Sequence, residues 1–88
     1  QEVSMDEIQA EFKLYPNPTK GRVKLSSNMN ISDAIIRLKS VEGRNVDYQV
    51  TEQSESSYMI DLSNAAKGIY ILEIIYNDQR NTIKIFKK

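Results

Sequence analysis

The sequence predicts an all-β fold, an antiparallel β-sandwich with Greek-key-like connections. Two observations carry this expectation. Apolar and polar residues alternate in short runs, broken by turn-forming residues roughly every 8 to 12 positions. No stretch sustains helical spacing, the best candidate being Ser63 to Lys67, about one turn long. A small β-barrel is the alternative closure of the same strands.

The chain of 88 residues is long enough for one domain with a single core. Its 40% hydrophobic and 27% charged residues are the composition of a folded globular chain, not of a disordered one. No apolar run approaches the roughly 18 residues of a membrane helix. The chain opens on Gln1 and is expected to be a piece of a longer precursor.

Phe12 to Tyr15 is the first strand candidate. It is stopped by Pro16 and Pro18, which lack an amide donor and hold the residue before them extended. Tyr15 to Gly21 then reads as a stiff corner, with Gly21 expected in a left-handed conformation. Arg22 to Ser26 alternates, Val23 and Leu25 facing inward. Ala34 to Ser40 does the same with Ala34, Ile36 and Leu38, and the turn Glu42-Gly43-Arg44 is expected to pair it as a hairpin with a strand over 44–50. Thr51 to Ser57 is a loop by composition, and Tyr58, Ile60 and Leu62 mark a strand over 57–62.

The run from Gly68 to Tyr76 is the most strand-like in the chain. Tyr70, Leu72, Ile74 and Tyr76 share one face, while Ile69, Ile71 and Ile75 share the other with Glu73. That pattern predicts a central strand covered on both faces. Asn77 to Arg80 is a turn, and 82–87 is the seventh strand, with Ile83 and Ile85 on one face.

The chemistry available is limited. With no cysteine and no histidine, the chain lacks disulfides, the usual metal ligands and most nucleophile-base pairs. Its acids are scattered over different turns, without a paired-carboxylate or calcium-loop spacing. Twelve basic and twelve acidic residues cancel, which argues against nucleic acid as a partner. An enzyme, a cofactor, a metal site and a small-molecule substrate are all unexpected. The two ends are nevertheless oppositely charged, Glu2, Asp6, Glu7 and Glu11 against Arg80, Lys84, Lys87 and Lys88. Residues 1–11 read as a linker and 12–88 as the domain.

Three stretches together resemble a known family: Tyr15-Pro16-Asn17-Pro18-Thr19-Lys20-Gly21, then Asp61-Leu62-Ser63 through Lys67-Gly68-Ile69-Tyr70, then the closing Ile85-Phe86-Lys87-Lys88. They are similar in order and spacing to the type A C-terminal sorting domain of the type IX secretion system of Bacteroidetes. The resemblance implies a seven-stranded immunoglobulin-like sandwich at the C-terminus of a secreted cargo protein. It also implies recognition in the periplasm by the outer-membrane export machinery, removal by a cell-surface sortase, and attachment of the cargo to the surface or its release. The residues singled out for recognition are Tyr15, Pro16, Asn17, Pro18, Gly21, Lys67, Gly68, Lys84, Lys87 and Lys88. The last strand is expected to offer an exposed edge for strand addition, its lysines meeting an acidic surface. The competing expectation is a carbohydrate-binding or adhesive sandwich using Tyr48, Tyr58 and Tyr76 as a platform, and a plain spacer is a third.

Overall fold

The computed structural model describes residues 10–88, so all of the expected linker except Ala10 and Glu11 lies outside the described residues. Seven strands follow one another: β1 (Phe12–Tyr15), β2 (Arg22–Ser27), β3 (Ile35–Ser40), β4 (Gln49–Gln53), β5 (Ser57–Asp61), β6 (Gly68–Tyr76) and β7 (Gln79–Lys87). They form two antiparallel sheets, one ordered β1-β2-β5-β4 and the other β3-β6-β7. No helix occurs among the described residues, and Ser63 to Lys67 is a turn.

The alternation read from sequence is what builds the core. Val23, Leu25, Tyr58 and Ile60 come from the four-stranded sheet, and Leu38, Tyr70, Leu72, Ile74 and Ile85 from the other. Ile31 and Leu62, from the connections, close the two ends. Each such residue stabilises the fold by about 1.5–3 kcal/mol through the apolar area it removes from water. The tyrosines belong to the wall of this core: the Tyr58 hydroxyl donates to the Ile31 carbonyl at 2.8 Å and the Tyr48 hydroxyl to that of Ile36 at 2.7 Å. Burial raises both phenols above their ordinary pKa. The expected sugar platform is therefore not assembled, because Tyr58 is only 6% exposed.

Four expectations need correction. The hairpin across Gly43 is only a stub: Ser40 donates to the Arg44 carbonyl and Val46 to that of Leu38, after which the chain crosses to the other sheet. The strand expected over 44–50 therefore lies at 49–53 and pairs with β5, taking in part of what reads as a polar loop. The turn after β6 is shorter than expected: Asn77 and Asp78, both at positive φ (51° and 62°), close a two-residue hairpin and let β7 begin at Gln79. Finally, β6 is central in its sheet but covered unevenly. Its inward Leu72 and Ile74 are fully buried, whereas on the outward face Ile71 and Ile75 are half-buried, Glu73 is buried and Ile69, near the start of the strand, is 44% exposed.

Candidate functional site

The chain enters β1 beside the end of β2, where Phe12 faces Ser27, and leaves β7 at the opposite end, where Lys88 meets Thr19. After β1 it switches sheets through the corner Pro16 to Thr19, and both X-Pro bonds there, before Pro16 and Pro18, are cis. The corner docks on the outer edge of β7. The Asn17 side-chain amide donates to the Lys84 carbonyl at 2.8 Å and its oxygen accepts from the Phe86 amide at 2.9 Å. One side chain thus supplies the donor and acceptor that a neighbouring strand would supply. Thr19 continues the seal with its own main chain. Its amide donates to the Phe86 carbonyl at 2.9 Å and its carbonyl accepts from the Lys88 amide at 2.8 Å, an isolated parallel bridge to β7.

Thr19 is only 2% exposed, and its hydroxyl is fully used. It donates to the Arg22 carbonyl at 2.7 Å and accepts from the Gly21 amide at 3.0 Å, so the corner is tied back to the start of β2. The edge expected to be open for strand addition is consequently occupied from the Lys84 carbonyl to the Lys88 amide. Lys84 and Lys88 remain exposed, and Lys87 is half-buried.

Gly21 is required here for a reason other than the expected one. It does not take a left-handed φ; it is buried against the turn after β5, where an added Cβ would lie 2.9 Å from the Ser63 Cβ. The Leu62 amide donates to the Gly21 carbonyl at 2.8 Å. That turn is shaped by Asp61, whose carboxylate accepts from the Ser63 hydroxyl and, at 2.9 Å, from the Ser63 amide. Those hydrogen bonds, from the hydroxyl first, hold the Asp61 carboxyl below its ordinary pKa, with the Arg22 charge assisting. Gly68 does use its freedom: at φ 152° it begins β6, opposite Lys87.

All the recognition residues read from sequence therefore lie at one end of the domain. Tyr15 to Gly21 and Lys84 to Lys88 are hydrogen-bonded together there, and Gly68 joins them through the ladder. Between them runs an open groove of about 520 Å³, walled by Pro16 and Pro18 and bordered by Lys20, Arg22 and Lys88 with no acidic side chain in its lining. Thr19 is the residue that sequence reasoning underrated. Its signal was a hydroxyl-bearing residue between a proline and a glycine turn, positioned to bond its own backbone. Among the described residues no set of three or more acidic side chains could hold a metal ion.

These features define a self-contained β-domain in which the entering segment clasps the departing strand, fixing a cationic end. The chain belongs to the secretion system C-terminal sorting domain family, which it matches over residues 13–88. No curated protein and no solved structure matches it. The domain is a C-terminal sorting signal for type IX secretion. Such a signal implies a cargo joined on its N-terminal side, contact with the secretion machinery, and export across the outer membrane to the cell surface or the medium.

Proposed function

We propose that this is a type A sorting signal of immunoglobulin-like architecture that acts as an address and not as a catalyst. The observation that supports this most is the clasp of Asn17 and Thr19 on β7, because it gathers the Pro-Asn-Pro corner, the Lys67-Gly68 turn and the terminal lysines on one rigid end. The strand orders β1-β2-β5-β4 and β3-β6-β7 are those of a constant-type immunoglobulin domain, which supports the architectural label. An address must present the same surface behind unrelated cargos, and an end held by main-chain hydrogen bonds does that.

In this reading the export machinery engages the end in the periplasm through the exposed side chains of Tyr15, Pro16, Pro18, Lys67, Lys84 and Lys88 and the half-buried Lys87. Asn17, Gly21 and Gly68 hold the shape. Side-chain recognition replaces strand addition over 84–88, since the main chain there is already paired. A sortase then separates the domain from its cargo, which is attached to the surface or released.

The test fuses residues 1–88 to a foreign periplasmic reporter in a cell with a type IX system. The parent fusion is expected at the surface. A variant with Lys84→Glu, Lys87→Glu and Lys88→Glu is expected to be retained while melting like the parent. Equal delivery of the two overturns the assignment of these lysines. Deleting residues 82–88 is a poorer test, because it removes Ile83 and the fully buried Ile85.

A further inference from the structure

We propose that the outer face of the β3-β6-β7 sheet is a second docking surface, anchored on Phe86, for a protein partner that presents an apolar pocket rimmed by carboxylates. Its use in export rests on the sorting reading; its chemistry does not. The inward direction of Leu72 and Ile85 sends the alternate residues to this outer face. Across the three strands the ladder places Ile69 beside Phe86, Ile71 between Lys39 and Lys84, Glu73 beside Arg37, and Ile75 beside Arg80.

Two properties set this face apart. Of the six large hydrophobic residues exposed among the described residues, Ile35, Ile69 and Phe86 lie on its strands and Val41 follows just beyond β3. Its charge is also one-sided. Arg37, Lys39, Arg80 and Lys84 surround a single carboxylate, Glu73, which is 4% exposed and pairs with Arg80 at 3.0 Å, Arg37 at 3.6 Å and Lys39 at 3.9 Å. The Arg37 and Arg80 side chains stay 53% and 67% exposed. An apolar patch with excess cations complements an apolar pocket bearing acids.

Phe86 is the natural anchor. Its amide and carbonyl are held by Asn17 and Thr19, so an aromatic ring that is 43% exposed stands on an immobilised backbone. Preorganised aromatic side chains are the residues that dominate interface energies. A second copy of the chain is a poor occupant, because face-to-face stacking opposes cation to cation. A bilayer is a poor one too, since the apolar residues lie within a sheet face and not on a projecting loop or amphipathic helix that could enter it.

The experiment titrates the full chain with a synthetic peptide alternating leucine and glutamate, read by amide NMR, with a leucine-glutamine peptide as control. Shifts are expected at Arg37, Lys39, Ile69, Ile71, Lys84 and Phe86, weaker with the control. Phe86→Ser is expected to reduce affinity about tenfold with the melting temperature unchanged, and Lys39→Glu to reduce it as well while lowering the melting temperature, because the new carboxylate lies beside Glu73. Shifts centred on the groove of Lys20, Arg22 and Lys88, or affinity indifferent to Phe86→Ser, overturn the proposal. So does sedimentation with anionic phospholipid vesicles that Phe86→Ser abolishes, which assigns the face to a membrane, or a concentration-dependent dimer that it abolishes, which assigns the face to a second copy. In the reporter assay, Phe86→Ser and Lys39→Glu fusions are expected to be retained. Their normal delivery sinks the docking face alone, whereas failure of the parent fusion sinks the sorting reading and leaves the titration to decide the face.

Discussion

β4 and β7 each end a sheet, and they treat that position in opposite ways. β4 is five residues long, exposed throughout, and broken by a bulge between Val50 and Glu52. It is blunted by shortness, irregularity and charge, devices that discourage pairing with another chain. β7 is nine residues long, buries Ile85 completely, and has the outward main chain of its C-terminal half taken by Asn17 and Thr19. In the proposed reading, the strand shown to a partner is thus one whose backbone is already satisfied. What it shows is side chains, and these are held without the entropy loss of ordering a free segment.

The largest expected effect lies on the inner side of β7. Ile85→Ala leaves a cavity in the shared core and is expected to cost about 2–5 kcal/mol, lowering the melting temperature by roughly 10 °C or more. Val50→Ala on β4, where the side chain is 41% exposed, is expected to cost less than about 1 kcal/mol. Similar melting temperatures for the two variants would erase the distinction between the strands. Next comes the seal itself. Gly21→Ala drives a methyl into the Ser63 backbone and side chain, 3.1 and 2.9 Å away, and is expected to destabilise by about 1–3 kcal/mol in urea unfolding. A neutral result would mean that the corner and the Asp61-Ser63 turn move apart at no cost.

β2 and the period-two face of β7 were legible because one side chain in two is apolar and faces core, the next facing water, and β6 because β-branched and aromatic residues run through it. Their bounds in the structure differ from the expected ones by a few residues at most. β4 was illegible for a physical reason. Gln49 to Gln53 is exposed throughout, so no burial imposes alternation on it, and its pairing comes from β5 alone. The partial exposure of the outer face of β6 was hidden by Ile69, Ile71 and Ile75, which read as buried although Ile69 is exposed and the other two are half-buried. Glu73 was the one residue to mark that face, and its meaning depended on cations from β3 and β7 that only the register brings together. At the candidate site the proline corner and the terminal lysines were visible as separate stretches. Their union through Asn17 and Thr19 spans 67 and 69 residues of chain in the two Asn17 bonds, a separation no local pattern reports.

A smaller effect is expected where the seal meets solvent. Asn17→Ala removes both of its bonds to β7, but water can reach the freed groups, so about 1 kcal/mol of stability is at stake. The sharper readout is hydrogen exchange: the Phe86 amide is expected to lose protection while the Ile60 amide, between β2 and β4, does not. Equal loss at both sites would show that the corner supports the whole domain and not one edge.

The smallest effect separates the two sheets by pH. Glu73, in the sheet of β7, has its carboxyl held below the ordinary value by the Arg80 hydrogen bond first, with the Lys39, Arg80 and Arg37 charges adding, against the opposing effect of burial. Asp61, opposite Gln49 of β4, is lowered chiefly by the Ser63 hydroxyl and amide. A folded-state pKa below the unfolded one means that each carboxylate's contribution is fully present above the unfolded carboxylate range and disappears as pH falls through the folded value. Both groups therefore destabilise the domain on acidification, by different routes. Salt sorts the contributions: the charges of the exposed Arg37 and Arg80 side chains on Glu73 are partly screened, while its hydrogen bond and the hydrogen bonds of Asp61 to Ser63 are screened much less. Glu73→Gln is expected to flatten the acid limb of the melting-temperature profile less in molar salt than at low ionic strength, while Asp61→Asn flattens it equally under both conditions. An Asp61→Asn effect that vanishes in salt would trace its lowered pKa to the exposed Arg22 pair, 3.6 Å away, and not to the turn that Gly21 packs against.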